Sequence, residues 1–307
     1  MKKIIIALFV SALTVSTVQA VMADTPPTIA IIDTGMNTTR FKESIAYEVC
    51  VISYGTCPDG KLTMEGVGAA QLPATKNKTF DHGTQMASIA LKVNPAAKII
   101  PIRIAGMTAS GAPYLYSLSD VQAAFAWIIA NRVKYNIAVV SLAQGGIRPG
   151  CNIPVGMAAS VATLKAAHVP VITSAGNDGN HKDIFAPACL ADTVSIGATD
   201  NPDPGVKGIA YNPKAVPYIA RYSNGAQGQT DFFLNARWYA TMLDGSNKFT
   251  VGTSNATAAM AGWWLLNRKA TFDETFNALM ATTTEIKNEF QTGRYITIDS
   301  LSMGNNK

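Results

Sequence analysis

Five short runs constrain this chain most: residues Thr28–Asp33, Lys98–Ile104, Ile137–Ala143, Val169–Ser174 and Thr193–Ala198. Each is rich in Ile and Val and does not alternate with polar residues. A strand covered on both faces reads this way, and parallel sheets are covered on both faces. Stretches of helical character lie between and after them, over Thr84–Lys92, Ser119–Val133, Gly156–Ala167, Ser254–Leu266 and Phe272–Met280, the second opening on a Ser-Asp cap. Alternation of this kind predicts a three-layer α/β fold, with a doubly wound, mainly parallel sheet and helices on both faces. Ligands on such sheets bind beyond the carboxyl ends of the strands.

No repeat, low-complexity linker or composition shift divides the chain, so one domain is expected over residues 24–307. Hydrophobic residues make up 48% and charged residues 15% of the 307, the reverse of a disordered composition. Residues 1–23 read as a cleaved secretory signal. Lys2 and Lys3 precede an apolar stretch from Ile4 to Val18, and both Ala20 and Ala23 end small-residue cleavage patterns. The apolar stretch is short for a bilayer span and is interrupted by Ser and Thr, so no stable membrane association is expected after cleavage. Removal of the two lysines leaves a net charge of +3 from the chain's +5. The basic residues are scattered, which gives no basis for a nucleic-acid partner. A secreted or periplasmic location is oxidising, and the cysteines are even in number: Cys50, Cys57, Cys151 and Cys189. Proximity favours Cys50–Cys57, leaving Cys151–Cys189. No CxxC suggests zinc.

Four positions carry chemistry. Asp33 closes the first apolar run, in Asp33-Thr34-Gly35, where a carboxylate is fixed and partly dry. An Asp-Thr-Gly loop also serves aspartic proteases, which need two; this chain has one and would have to dimerise. His82 stands in Asp81-His82-Gly83-Thr84 at a helix start. The other histidines, His168 after an Ala-rich helix and His181 in a polar loop, read as a cap and a solvated residue. Ser254 opens a small-residue helix after Gly252-Thr253, where unpaired first-turn N–H groups and the helix dipole favour an anion. Asn177 follows Ala175-Gly176 after a strand, where its amide can donate to a developing oxyanion. Each has a bland reading as a cap or turn residue.

Taken in order, these motifs resemble those of the subtilisin-like serine proteases, whose triad runs Asp, His, Ser along the chain. The resemblance extends to Val139–Gly146, to Ala186-Pro187-Ala188 ahead of Val194–Ala198, and to Arg294–Asp299, so it covers nearly all of the chain after the signal. It implies a catalytic triad of Asp33, His82 and Ser254. It implies an oxyanion hole from the Ser254 N–H and the Asn177 amide, with Thr253 adding a hydroxyl. Ala143, Gln144 and Gly145 would pair with substrate backbone, and Ala175 and Gly176 would line the pocket for the residue before the cut. The activity implied is hydrolysis of protein or peptide substrates by a monomer without a cofactor. A catalytically inactive peptide binder, or an esterase or peptide ligase using the same triad, are the rival readings.

The chain departs from the family pattern at five places. Ala258 replaces a Pro, Asn255 a Met beside the nucleophile, and Ser88 a Gly in the helix after His82. Asn255 is expected to alter substrate fit, and Ser88 to demand room against the nucleophile helix. No prosegment is recognisable between the signal and Thr28, so folding without a cis chaperone is expected. Leu91–Ala97 runs directly into the next strand, leaving no room for the loop of the usual tight calcium site. Weaker calcium sites stay open, with Asp200 and Asp203 as loop acids.

Overall fold

A computed structural model describes residues 26–298, apart from 74, 109, 115–116 and 201–216. The signal segment and Asp203 lie outside the described residues. Eleven strands build one sheet: β1 (Thr28–Asp33), β2 (Val49–Val51), β3 (Thr63–Glu65), β4 (Lys98–Arg103), β5 (Ile137–Leu142), β6 (Val171–Ser174), β7 (Val194–Asp200), β8 (Tyr218–Ile219), β9 (Phe232–Asn235), β10 (Thr284–Lys287) and β11 (Thr292–Tyr295). Their order is β10-β11-β9-β7-β6-β5-β1-β4-β2-β3, with β8 on β7. The run from β11 through β9, β7, β6, β5, β1 and β4 to β2 is parallel throughout; β3, β8 and β10 pair antiparallel. Among the described residues, five α-helices accompany it: α1 (Asp81–Val93), α2 (Leu118–Asn131), α3 (Val155–Ala166), α4 (Thr253–Leu266) and α5 (Phe272–Ala281).

The runs that gave no polar alternation are buried on both faces. Side chains of β1 alternate between two cores. Ile29 and Ile31 pack with Met86 and Ile89 of α1, Met260 and Trp264 of α4, and Phe272 of α5. Ala30 and Ile32 pack with Phe125 and Ile128 of α2 and Val161 and Leu164 of α3. The period of two along the strand therefore feeds two helical layers, and both must be apolar.

Helix starts follow local chemistry. Helix α2 begins earlier than the sequence suggests. Its cap is Ser117, not Ser119: the Ser117 hydroxyl accepts from the Asp120 N–H at 3.2 Å, and the Asp120 carboxylate accepts from the Ser117 N–H at 2.9 Å. That reciprocal pair satisfies two orphan donors at once, which a cap at Ser119 would not. Thr271 and Glu274 do the same for α5. Cys50–Cys57 and Cys151–Cys189 are disulfide-bonded.

Among the described residues, no helix is long and apolar enough to cross a membrane. The link between α1 and β4 is Asn94–Ala97, whose one side-chain oxygen is that of Asn94. Calcium takes about six to eight oxygen ligands, of which the side chains of this link offer one. Asp200 is not a loop acid. It is the last residue of β7, and both its oxygens are engaged by Arg237.

Candidate active site

Asp33 ends β1 at the carboxyl edge of the sheet and is 1% exposed. The Thr34 N–H donates to its Oδ1 at 2.7 Å, and the Thr34 hydroxyl accepts from the Gly83 N–H at 3.1 Å. The Asp-Thr-Gly turn is thereby bonded to the first turn of α1. The approach is close: a Cβ on Gly83 would lie 2.0 Å from the Gly35 carbonyl oxygen. Only glycine permits that docking, and the docking is what brings His82 to Asp33. His82 Nδ1 lies 2.8 and 2.9 Å from the two carboxylate oxygens. Burial alone pulls the imidazole pKa down. The adjacent Asp33 charge and its hydrogen bond outweigh burial, so the net shift is upward from the ordinary 6.5.

The side chain of Gln144 completes this pair, a contact the sequence did not signal. Its Nε2 donates to Asp33 Oδ1 at 3.2 Å and stands 2.9 Å from His82 Nδ1. The family resemblance implies a role for the Gln144 backbone alone. The positive end of the amide dipole beside Nδ1 disfavours imidazolium. Gln144→Ala is therefore expected to raise the acid limb of kcat/KM and to lower kcat a few-fold through a looser carboxylate, with KM little changed. A pH–rate profile checks it, and an unmoved limb would show that the amide is only filling space.

Ser254 is the second residue of α4, so its N–H has no intrahelical partner. Its hydroxyl donates to the Ala143 carbonyl at 3.2 Å, and no hydrogen bond joins it to His82. Ser254, His82, Asn177, Ala143, Gln144 and Gly145 nevertheless line one cleft of about 280 Å3. Asn177 Oδ1 accepts from the Thr253 N–H at 2.9 Å and the Thr253 hydroxyl at 3.0 Å. The amide is thus held by its oxygen, which leaves its NH2 free to donate. The Thr253 hydroxyl is turned to Asn177, and Thr253 is fully buried, so this hydroxyl orients the amide.

Ala175 and Gly176 are buried behind the cleft. Phe185 stands in front of them and lines it. A Cβ on Gly176 would lie 2.5 Å from the Phe185 ring, and one on Gly145 would lie 2.8 Å from Phe185 Cβ. Phe185 thus fills the space between the segment expected to pair with substrate backbone and the one expected to line the pocket. The loop holding Asn177 is itself fixed by buried Asn224, whose Oδ1 accepts from the Asp178 and Asn180 N–H groups, each at 2.9 Å. Neither Phe185 nor Asn224 lies in one of the family motifs of the sequence.

Four further residues named from the sequence find their partners in the structure. Asn255 does not face the cleft. It is 2% exposed, and its amide donates to the Ala236 carbonyl and the Thr250 hydroxyl, anchoring the start of α4 to the hairpin of Arg237–Thr241 and Asn247–Val251. The Ser88 hydroxyl serves the Thr241 N–H at 3.0 Å. The tight contact between α1 and α4 is at Ala90, whose carbonyl oxygen would lie 2.5 Å from a Cβ on Gly262. His181 is exposed, as expected of a loop residue, but its ring stacks on Phe290 at 3.6 Å. His168 follows α3 at positive φ and accepts from the Phe272 N–H at 3.4 Å, joining the end of α3 to the start of α5.

The model of the Subtilase family matches residues 24–293. The chain belongs to the subtilase family. It is 26% identical over 232 residues to an extracellular serine proteinase of Thermus sp. (strain Rt41A), covering 70% of this chain and 48% of that protein. It is 27% identical over 181 residues to subtilisin-like protease 3 of Pseudogymnoascus destructans, covering 57% of this chain and 39% of that protein. The chain thus spans less than half the length of these relatives. Among solved structures, a cold-adapted subtilisin-like serine proteinase aligns with a TM-score of 0.62 at 20% identity, covering 89% of each chain. A protease from Pseudoalteromonas arctica aligns with a TM-score of 0.68 at 18% identity, covering 95% of this chain and 93% of that one. These likenesses establish the three-layer α/β fold.

Proposed function

We propose that this chain is an exported serine endopeptidase that hydrolyses protein or peptide substrates through an acyl-enzyme. The observation that carries the proposal is the cleft itself. A buried carboxylate grips one face of an imidazole, and a serine hydroxyl and an amide donor line the same space.

Substrate entry turns the Ser254 hydroxyl from the Ala143 carbonyl toward His82 Nε2. Catalytic hydrogen bonds are often long or misdirected until substrate binds. The oxygen then attacks the peptide carbonyl while its proton passes to Nε2. Asp33 holds the Nδ1 proton and stabilises the imidazolium. The Ser254 N–H and the Asn177 amide donate to the tetrahedral oxyanion, a contribution worth about 3–4 kcal/mol per donor in comparable sites. Collapse expels the amine, which takes its proton from His82. A water, deprotonated by the same imidazole, then hydrolyses the ester. The N-terminal signal pattern and the two disulfides support export, and cleavage after Ala20 or Ala23 would start the exported chain at residue 21 or 24.

A fluorophosphonate probe tests the chemistry. One adduct on Ser254 of the folded chain is expected, with peptide hydrolysis abolished in parallel. Absence of any adduct would favour a binding protein with a silent triad. Release of alcohols from esters without peptide cleavage would favour an esterase. Specificity is argued from Phe185. Its removal opens the space between Gly145 and Gly176, so Phe185→Ala is expected to shift preference before the cut toward larger apolar residues. A change of about tenfold in relative kcat/KM is expected, as one to a few methylenes in an apolar pocket give. Cleavage-site profiling of both proteins with a peptide library reads it.

A further inference from the structure

Arg103, the last residue of β4, pairs in register with Asp33 on one side and Cys50 on the other. Its side chain is 2% exposed. Its Nε donates to the Ala105 carbonyl at 2.9 Å, and this is its one hydrogen bond among the described residues. No carboxylate of the described residues forms an ion pair with it. Burial draws its pKa down, but a guanidinium starts so high that it stays charged at neutral pH. A buried cation without a countercharge is expensive, and a bound anion would offset that cost.

That place is a cavity of about 990 Å3 which Arg103 helps to line. Arg103 is the one charged residue among the described lining residues, and the walls are largely apolar, with Pro58, Met64, Val67, Leu72 and Met107. Val67 is 95% exposed although it borders this hollow. The side chain of Gln71 is spent on Thr38 and the Leu72 carbonyl, so it does not compete for the guanidinium. The Cys50–Cys57 disulfide braces the rim. None of the lining residues belongs to the cleft at His82 and Ser254.

We propose that this cavity binds an apolar monocarboxylate, with its carboxylate on the Arg103 guanidinium and its apolar body against Met64, Leu72 and Met107. One cation matches one carboxylate in a two-pronged contact. A dianionic phosphate would keep one charge uncompensated, because Arg103 is the one charged residue among the described lining residues. The same chemistry is offered by a free medium-chain acid and by the carboxyl terminus of a peptide ending in an apolar residue. The site stands on Arg103 and its cavity, independently of the triad.

Calorimetric titration of the full exported chain tests this, with octanoate against octanamide and acetyl-Leu-Leu acid against its amide. At least one acid is expected to bind about tenfold or more tighter than its amide, as a charge-assisted pair gives, and the acid that does so identifies the source. Arg103→Met, which keeps the bulk and removes the charge, is expected to lose that preference. A diazirine-bearing octanoate on the unaltered chain gives a readout that needs no variant, with adducts expected on residues 55–73 and 103–108. Equal affinity of acids and amides, binding unchanged in Arg103→Met, or adducts confined to the His82 cleft would each overturn the proposal.

Discussion

Replacement of Ser254 by alanine is expected to lower kcat for peptide hydrolysis by about 10⁴–10⁶ while leaving the fold and substrate affinity nearly intact. The fold survives because the hydroxyl makes one hydrogen bond, to the Ala143 carbonyl, and alanine is a good helix former at this second position of α4. The chemistry does not survive, because no other hydroxyl can take its place. The neighbouring Thr253 hydroxyl is fully buried and bound to Asn177. Residual turnover would come from oxyanion stabilisation and binding alone. Stopped assays with the purified variant, alongside thermal unfolding of both proteins, separate lost chemistry from lost structure. Activity within tenfold of the parent would remove Ser254 from the mechanism.

The second large effect is on the acid. Asp33→Asn is expected to lower kcat by about 10⁴ at neutral pH with little change in KM. Both carboxylate oxygens now face Nδ1 and fix its proton there. An asparagine amide would offer an N–H instead, so the imidazole would carry its proton on Nε2, where a base must have a lone pair. The pH profile carries a second signature. Asp33 holds the His82 pKa up against the effect of burial. Without the charge, burial prevails, and the acid limb of kcat/KM moves to lower pH. Stability follows with a definite sign. A histidine whose folded pKa is raised contributes stability that is fully present below its unfolded pKa of about 6.5, and that is lost as pH rises through the folded value. The stability gap between parent and Asp33→Asn should therefore narrow as the solution is made alkaline. Denaturant midpoints at acidic and alkaline pH measure this, and a gap that widened would show that Asp33 does not support the charged imidazole.

These two predictions rest on residues that stood out in the sequence, whereas the side-chain contact of Gln144 and the place of Phe185 did not. The difference is physical. A strand buried on both faces requires an unbroken apolar run, so β1, β4, β5, β6 and β7 could be located within a few residues. The turn at Asp33-Thr34-Gly35 and the helix starts at His82 and Ser254 are local in sequence, because backbone geometry at a strand end or helix N-terminus restricts which residues work. Sequence proximity also selected the disulfide pairing that the structure contains. The cap of α2 was misplaced because Ser117 and Ser119 offer similar local chemistry, and only the reciprocal bond with Asp120 distinguishes them.

What the chain's order of residues determined alone was the five central strands, the layers they demand, and the identity of the residue types at the strand ends. Which side chains meet there was decided by tertiary structure. Gln144 reaches Asp33 across 111 positions, Asn177 is held by Thr253 across 76, and Asn255 turns away from the cleft to a carbonyl 19 residues before it. Arg103 looks like an ordinary strand-end cation until β2 and β1 close on either side of it and leave its charge unmatched. Pairings of this kind depend on the register of distant strands and on packing at glycine contacts such as Gly83 on Gly35, and a run of residues read locally carries neither.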